Sequence, residues 1–321
     1  MSHLLSFDTK TIDLNSLVWK PSGATCFEDH YSSNFMNAVS FLRLSEKRKS
    51  LQHSNNGDIF DYVSSLYKLM DTHTNKTDNK IKRLENTKPI VFTWNINGTD
   101  FYSTSLNFEL YCATQVAAHK KFITGLTSMD PREKKTNFKD AIDYLKELPE
   151  ILKKWETKTF VLPHCPVQCN SEYVKKSLYV IKGFKALCLL HDAKSNNIQG
   201  NILNTAMNFF SSSWLRQEVF GALSIQHYFL TRALLYKDIA FKHNDDGSEE
   251  YSSKALTAIN ESLYCSNQIT ESLCYVLPNT MNAIVNTEDL VEKKNTLETV
   301  NYAVACDLSN ITLPKAVPIS N

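Results

Sequence analysis

From Phe108 to about Cys306 the apolar residues return every three or four positions, and only short polar turns interrupt them. A chain patterned this way must build helices and bury one face of each against its neighbours. The start signals are explicit. Asp130-Pro131-Arg132-Glu133 offers a capping carboxylate, a proline suited to the first helical position and a glutamate placed to close a capping box. Behind it Phe138, Ile142, Leu145, Leu148, Leu152 and Trp155 form one long stripe, with Pro149 as an expected kink. After a loop at Pro163–Pro166, Ser171 is expected to cap a helix reaching about Ala193. Further helices are predicted near 197–213 and 215–243, from the Asn244–Ser248 turn to about Val276, and from Thr287-Glu288-Asp289 to about Cys306. Small residues Ala233, Ala240, Ala255 and Ala258 lie where the helices on either side of the Asn244–Ser248 turn can approach closely, as in a tetratricopeptide-type hairpin.

The first third reads differently. Residues 1–30 look irregular, with Pro21-Ser22-Gly23 as a turn. Phe35, Val39, Leu42 and Leu51 fall on a helical period over about 31–52. Ile59, Tyr62, Val63, Leu66 and Leu69 form the inner face of a second helix, about 58–70, and the polar stretch Thr72–Lys88 reads as an exposed loop. Ile90–Ile96 is the clearest strand, rich in β-branched and aromatic residues, and Asn97-Gly98 suits a tight hairpin leading to a partner strand within Phe101–Asn107. The tail Leu313–Asn321 carries two prolines and is expected to be extended.

Composition narrows the function classes. Lys+Arg 35 against Asp+Glu 34 leaves a formal net charge of +1, with no large net field to draw nucleic acid or a membrane surface. Eight glycines are too few for a fold that cradles phosphates on glycine-rich loops. No signal-peptide core and no long apolar span occurs, so the scattered cysteines are expected to be buried, reduced thiols of a cytoplasmic protein. The Cys/His cluster at His164, Cys165 and Cys169 lacks the second ligand pair that zinc needs. His119, His191, His227 and His243 sit in helical patterns without a neighbouring nucleophile, and Lys134-Lys135 reads as a solvated face. These readings point to a non-catalytic protein without metal or cofactor.

The order of a helix pair, a strand with Val91-Phe92-Thr93-Trp94, a second strand and then helical hairpins resembles the BRO domain family. This is the ESCRT-associated domain of Alix- and Brox-like scaffold proteins. Leu106–Leu110 through Ala117-Ala118 is similar to the family's strand-to-helix passage. Asp140–Glu147 and Ile202–Phe210 are similar to two of its helices, and Asn301–Pro314 stands where the family has a segment ending in proline. The resemblance spans about residues 5–315. It departs at Ile181–Ala186, where the family signature is not kept, and near Ala305, where the family has a tyrosine whose role is not carried over. The resemblance implies a mainly α fold: a curved, banana-shaped helical-hairpin solenoid with a tetratricopeptide-like core and a small β-element. One domain over 1–321 is expected, with an N-terminal region at 1–88, the β-element at 89–108, the solenoid at 109–310 and the tail at 311–321. It further implies a groove for the C-terminal amphipathic helix of an ESCRT-III subunit of the charged multivesicular body protein type, serving endosomal sorting or membrane remodelling, with membrane association through partners. Carried over, the groove residues fall on Cys188, His191, Ile198 and Ile202, with His191 standing where the family has a lysine. The alternative is a helical-repeat adaptor for an unrelated complex, with that groove degenerate.

Overall fold

Asp58 caps the helix that follows it: its Oδ1 accepts the amides of Phe60 and Asp61 at 2.9 and 3.1 Å, satisfying donors that a helix start leaves free. The computed structural model describes residues 17–28, 31–32, 35–53, 58–74, 82–83, 90–156, 166, 168–213, 219–242, 249–272, 285–300 and 306–319. Within these, the helices are α1 (Phe35–His53), α2 (Ile59–Thr74), α3 (Leu106–Thr127), α4 (Pro131–Glu156), α5 (Ser171–Cys188), α6 (Asn196–Ser211), α7 (Val219–Lys242), α8 (Glu249–Ser272) and α9 (Thr287–Val300). The strands are β1 (Lys20–Ser22), β2 (Tyr31–Ser32), β3 (Lys82–Arg83), β4 (Phe92–Ile96) and β5 (Thr99–Ser103). The fold is mainly α with a small antiparallel sheet, and two compact units divide it: residues 14–123 with 140–174, and residues 124–139 with the chain from 175 onward.

In the first unit β4 is the central strand, paired antiparallel with β1 and β5. Phe92, Trp94 and Ile96 alternate into the core, as a half-buried strand requires. Asn97 and Gly98 both take positive φ, 52° and 84°, the geometry of the expected tight hairpin. Two expectations are corrected here. Pro21 and Ser22 form an edge strand, where a proline is tolerated because the missing amide faces outward, and the turn falls on Gly23. In α1 the inward face is Phe41, Leu44, Arg48 and Leu51, while Leu42 is exposed. The apolar pattern misled because one inward residue is an arginine.

That arginine belongs to a buried polar centre. Arg48 Nε donates to Glu109 Oε1 at 2.8 Å, and its other nitrogens donate to the carbonyls of Gly23 and Thr93, both at 2.9 Å. The same Glu109 carboxylate accepts the Tyr62 hydroxyl and, at 2.6 Å, the Trp94 indole N–H. Burial, reinforced by the Glu109 charge, pushes the Tyr62 phenol well above its ordinary range and keeps it a donor.

In the second unit, helix pairs close on glycine. A methyl at Gly125 of α3 would stand 2.6 Å from the Phe138 ring, and one at Gly183 of α5 would stand 2.6 Å from the Phe210 ring. Each glycine lets a phenylalanine of the following helix press against backbone. Helices α6 to α9 then pack each on the next. Ala233, Ala240, Ala255 and Ala258 are all buried as expected, and the Ser262 hydroxyl donates across to the Ala233 carbonyl at 2.8 Å.

The caps also differ in detail. Asp130 Oδ1 accepts the Arg132 amide at 2.9 Å, but Glu133 accepts the Ser128 hydroxyl at 2.6 Å instead of closing a box. Asn170, not Ser171, caps α5 through the Tyr173 amide at 2.7 Å. Helix α4 runs through Pro149. The Asn244–Ser248 turn, His164, Cys165 and His243 lie outside the described residues, as does nearly all of Thr72–Lys88. No helix among the described residues is long and apolar enough to cross a membrane.

Candidate functional site

The four residues expected to line a groove lie on one continuous stretch of the second unit. Cys188 ends α5, His191 sits in a 3-10 turn (Leu189–Asp192), and Ile198 and Ile202 occupy the first turns of α6. Ser195 caps α6, its Oγ accepting the Ile198 amide at 3.4 Å, which holds Ile198 at the mouth of the helix.

Their environments differ. Cys188 is buried, and that burial pushes its thiol up to about 12, with Lys134 and Lys135 of α4 opposing the shift. It is an inert packing group. Lys134 is itself buried, against the expectation of a solvated lysine pair, and burial holds its ammonium below the ordinary range. His191 is exposed, its Nδ1 3.4 Å from Asp192 Oδ1. Ile198 is 46% exposed, whereas Ile202, one turn on, is 3% exposed. Only the first of the two isoleucines offers open apolar surface.

The stripe continues beyond them. Positions 198, 202, 205 and 209 recur on one side of α6. Thr205 is buried, and the Phe209 ring lies 6.0 Å from the Tyr179 ring of α5, with Lys182 Nζ 5.8 Å from its centroid. The tail reaches this stripe. The Val317 amide donates to Thr205 Oγ1 at 2.6 Å, and that hydroxyl lies 3.2 Å from the Val317 carbonyl and 2.8 Å from the Asn201 carbonyl. Asn204 Nδ2 donates to the Pro314 carbonyl, and a methyl at Gly200 would meet Pro314 Cγ at 3.1 Å. Gly200, Asn204 and Thr205 were not expected from sequence. A glycine inside a helical pattern, which signals close approach of another segment, was the available hint.

No group of three or more His, Cys, Asp or Glu side chains able to hold a metal occurs among the described residues. The buried histidines are core residues. His119 Nδ1 faces the Leu17 carbonyl while Nε2 lies 2.7 Å from the Gln115 amide nitrogen, and His227 Nδ1 lies 2.8 Å from the Leu223 carbonyl.

No protein-family model matches the sequence, and no curated protein does. Solved structures do match. The chain is similar to a complex of the ALIX Bro1 domain with CHMP4C, at TM-score 0.66 and 11% identity, over 94% of this chain and 92% of that one. The chain has the Bro1-domain fold. A second Bro1 domain, described in connection with endosomal targeting, matches at TM-score 0.59 and 12% identity over 94% of this chain and 89% of its own. ALIX in complex with a SIVmac239 late-domain peptide matches at TM-score 0.62 and 12% identity, and there the chain spans only 48% of the other protein. The Bro1 fold explains the element order, a β-element followed by helical hairpins.

Proposed function

We propose that this Bro1-type chain is a non-catalytic adaptor that receives the C-terminal amphipathic helix of an ESCRT-III subunit along α6. The reading rests on the fold shared with the ALIX Bro1 domain of the CHMP4C complex over nearly the whole chain. On this reading the exposed Ile198 is the apolar anchor, the buried Ile202 and Cys188 pack within the helices that carry the stripe, and the exposed His191 is free to meet polar groups of the guest. A guest helix presenting leucines at i, i+3 and i+4 buries such an anchor between its own side chains. The chain then works at cytoplasmic membrane surfaces, held there by its partner.

The test is fluorescence anisotropy with a labelled CHMP4C C-terminal helix, wild type against Ile198→Asp. Truncating a central apolar anchor costs about 1–3 kcal/mol, so the substitution should weaken binding roughly ten- to hundredfold. Indistinguishable signals from the two proteins reject the reading.

The burial of Ile202 favours a second reading, a helical adaptor for an unrelated complex. On that reading the CHMP4C helix does not bind, and surface substitutions other than Ile198 govern partner capture.

A further inference from the structure

We infer that the segment Pro314–Val317 is an internal strap docked on α6, and that it must leave before a guest helix can lie along the full stripe. The inference rests on the adaptor reading above and adds its regulation. After α9 the chain runs back across the helices it follows. The Asp307 amide donates to Thr257 Oγ1 of α8 at 3.2 Å and Asn260 Nδ2 donates to Cys306 Sγ at 3.4 Å. The 3-10 turn Leu308–Asn310 contacts the same helix. The segment then reaches α6, where three neighbouring positions receive it. Gly200 admits the Pro314 ring against backbone, Asn204 holds the Pro314 carbonyl, and Thr205 holds Val317.

The position of Thr205 decides what this docking does. It stands one turn beyond Ile202 and four residues before Phe209, in the middle of the stripe 198–202–205–209. A guest helix anchored at Ile198 and extending toward Phe209 passes over Thr205, and Val317 is already bonded there. Strap and guest therefore compete for one hydroxyl and the surface around it. The competition leaves the mouth at Ile198 open, which is where a guest first engages.

Two variants of the full chain separate the possibilities. Val317→Pro removes the amide donor without touching α6, and Thr205→Val removes the hydroxyl while keeping its shape. Two readouts are taken: affinity for the labelled CHMP4C helix, and tryptic cleavage after Lys315, an exposed residue inside the strap. Cleavage after Lys315 should be roughly tenfold faster in both variants than in wild type, because proteolysis follows the population of the released segment. Saturating peptide should accelerate that cleavage in wild type, and Val317→Pro should bind the peptide roughly three- to tenfold more tightly. If wild type binds peptide while Lys315 cleavage and the Val317→Pro affinity stay unchanged, the strap is no gate and the adaptor reading survives. If the peptide binds neither wild type nor Val317→Pro, the adaptor reading fails and the gate falls with it.

Discussion

Gly183 and Phe210 meet face to backbone: the phenylalanine ring of α6 fills the place where any side chain at 183 would begin. The ring has nowhere to retreat, since Phe184 stands edge-on at 5.3 Å and His227 lies at 5.6 Å on its other sides. Gly183→Ala should therefore destabilise the protein by about 1–3 kcal/mol, the usual cost of overpacking, although alanine is the better helix former. Urea denaturation of Gly183→Ala alone and combined with Phe210→Leu reads this directly. The double variant should lose less than the sum of the two single ones.

Gly98 offers the opposite control. Nothing lies within 4 Å of a methyl there, so only its backbone, at φ 84°, resists substitution. Gly98→Ala should cost about 1–2 kcal/mol from the left-handed conformation alone. Gly98→Asn should cost less, because asparagine tolerates that region. Equal losses for the two variants in thermal denaturation would point to a packing role for the turn.

The Arg48–Glu109 pair is fully buried on both sides. Removing one partner strands the other charge in the interior, so Glu109→Gln and Arg48→Met should each destabilise by about 3–5 kcal/mol. A double-mutant cycle should show coupling above about 1 kcal/mol. The double variant should still be weaker than wild type, because Tyr62 and Trp94 donate to separate oxygens of the carboxylate and a glutamine amide keeps only one of the two.

Acid should weaken the fold through two histidines. Burial lowers both His119 and His227 to about 4, and a hydrogen bond to a backbone carbonyl opposes the shift in each. Between pH 6.5 and 4 the unfolded chain takes up protons at these positions and the folded one does not. Stability is therefore full above pH 6.5 and falls as the pH drops toward 4. The slope approaches about 1.4 kcal/mol per pH unit for each histidine. Denaturant midpoints at pH 7 and pH 5 should differ less in His227→Gln than in wild type.

Helix type and order were legible because α2, α4 and the α7–α8 pair repeat apolar residues at the helical period, and because Asn97-Gly98 accepts positive φ. What escaped notice was polar or distant. Arg48 points inward and broke the apolar count of α1. Glu133 found Ser128 rather than the amide it was expected to hold, since a local hydroxyl competes with backbone. At the site, Ile198 and Ile202 look equivalent by spacing, yet one is open and the other buried. Burial there depends on neighbours that lie far off in sequence, and the tail bonded at Thr205 starts more than a hundred residues away. No local pattern encodes that contact.

The carboxylate of Glu109 gathers donors from α1, α2 and β4 onto α3. During synthesis Arg48 leaves the ribosome 61 residues ahead of its acceptor. A guanidinium without its counter-charge is costly in an apolar interior, so the buried arginine of α1 is fully compensated only once α3 has joined α1 and α2.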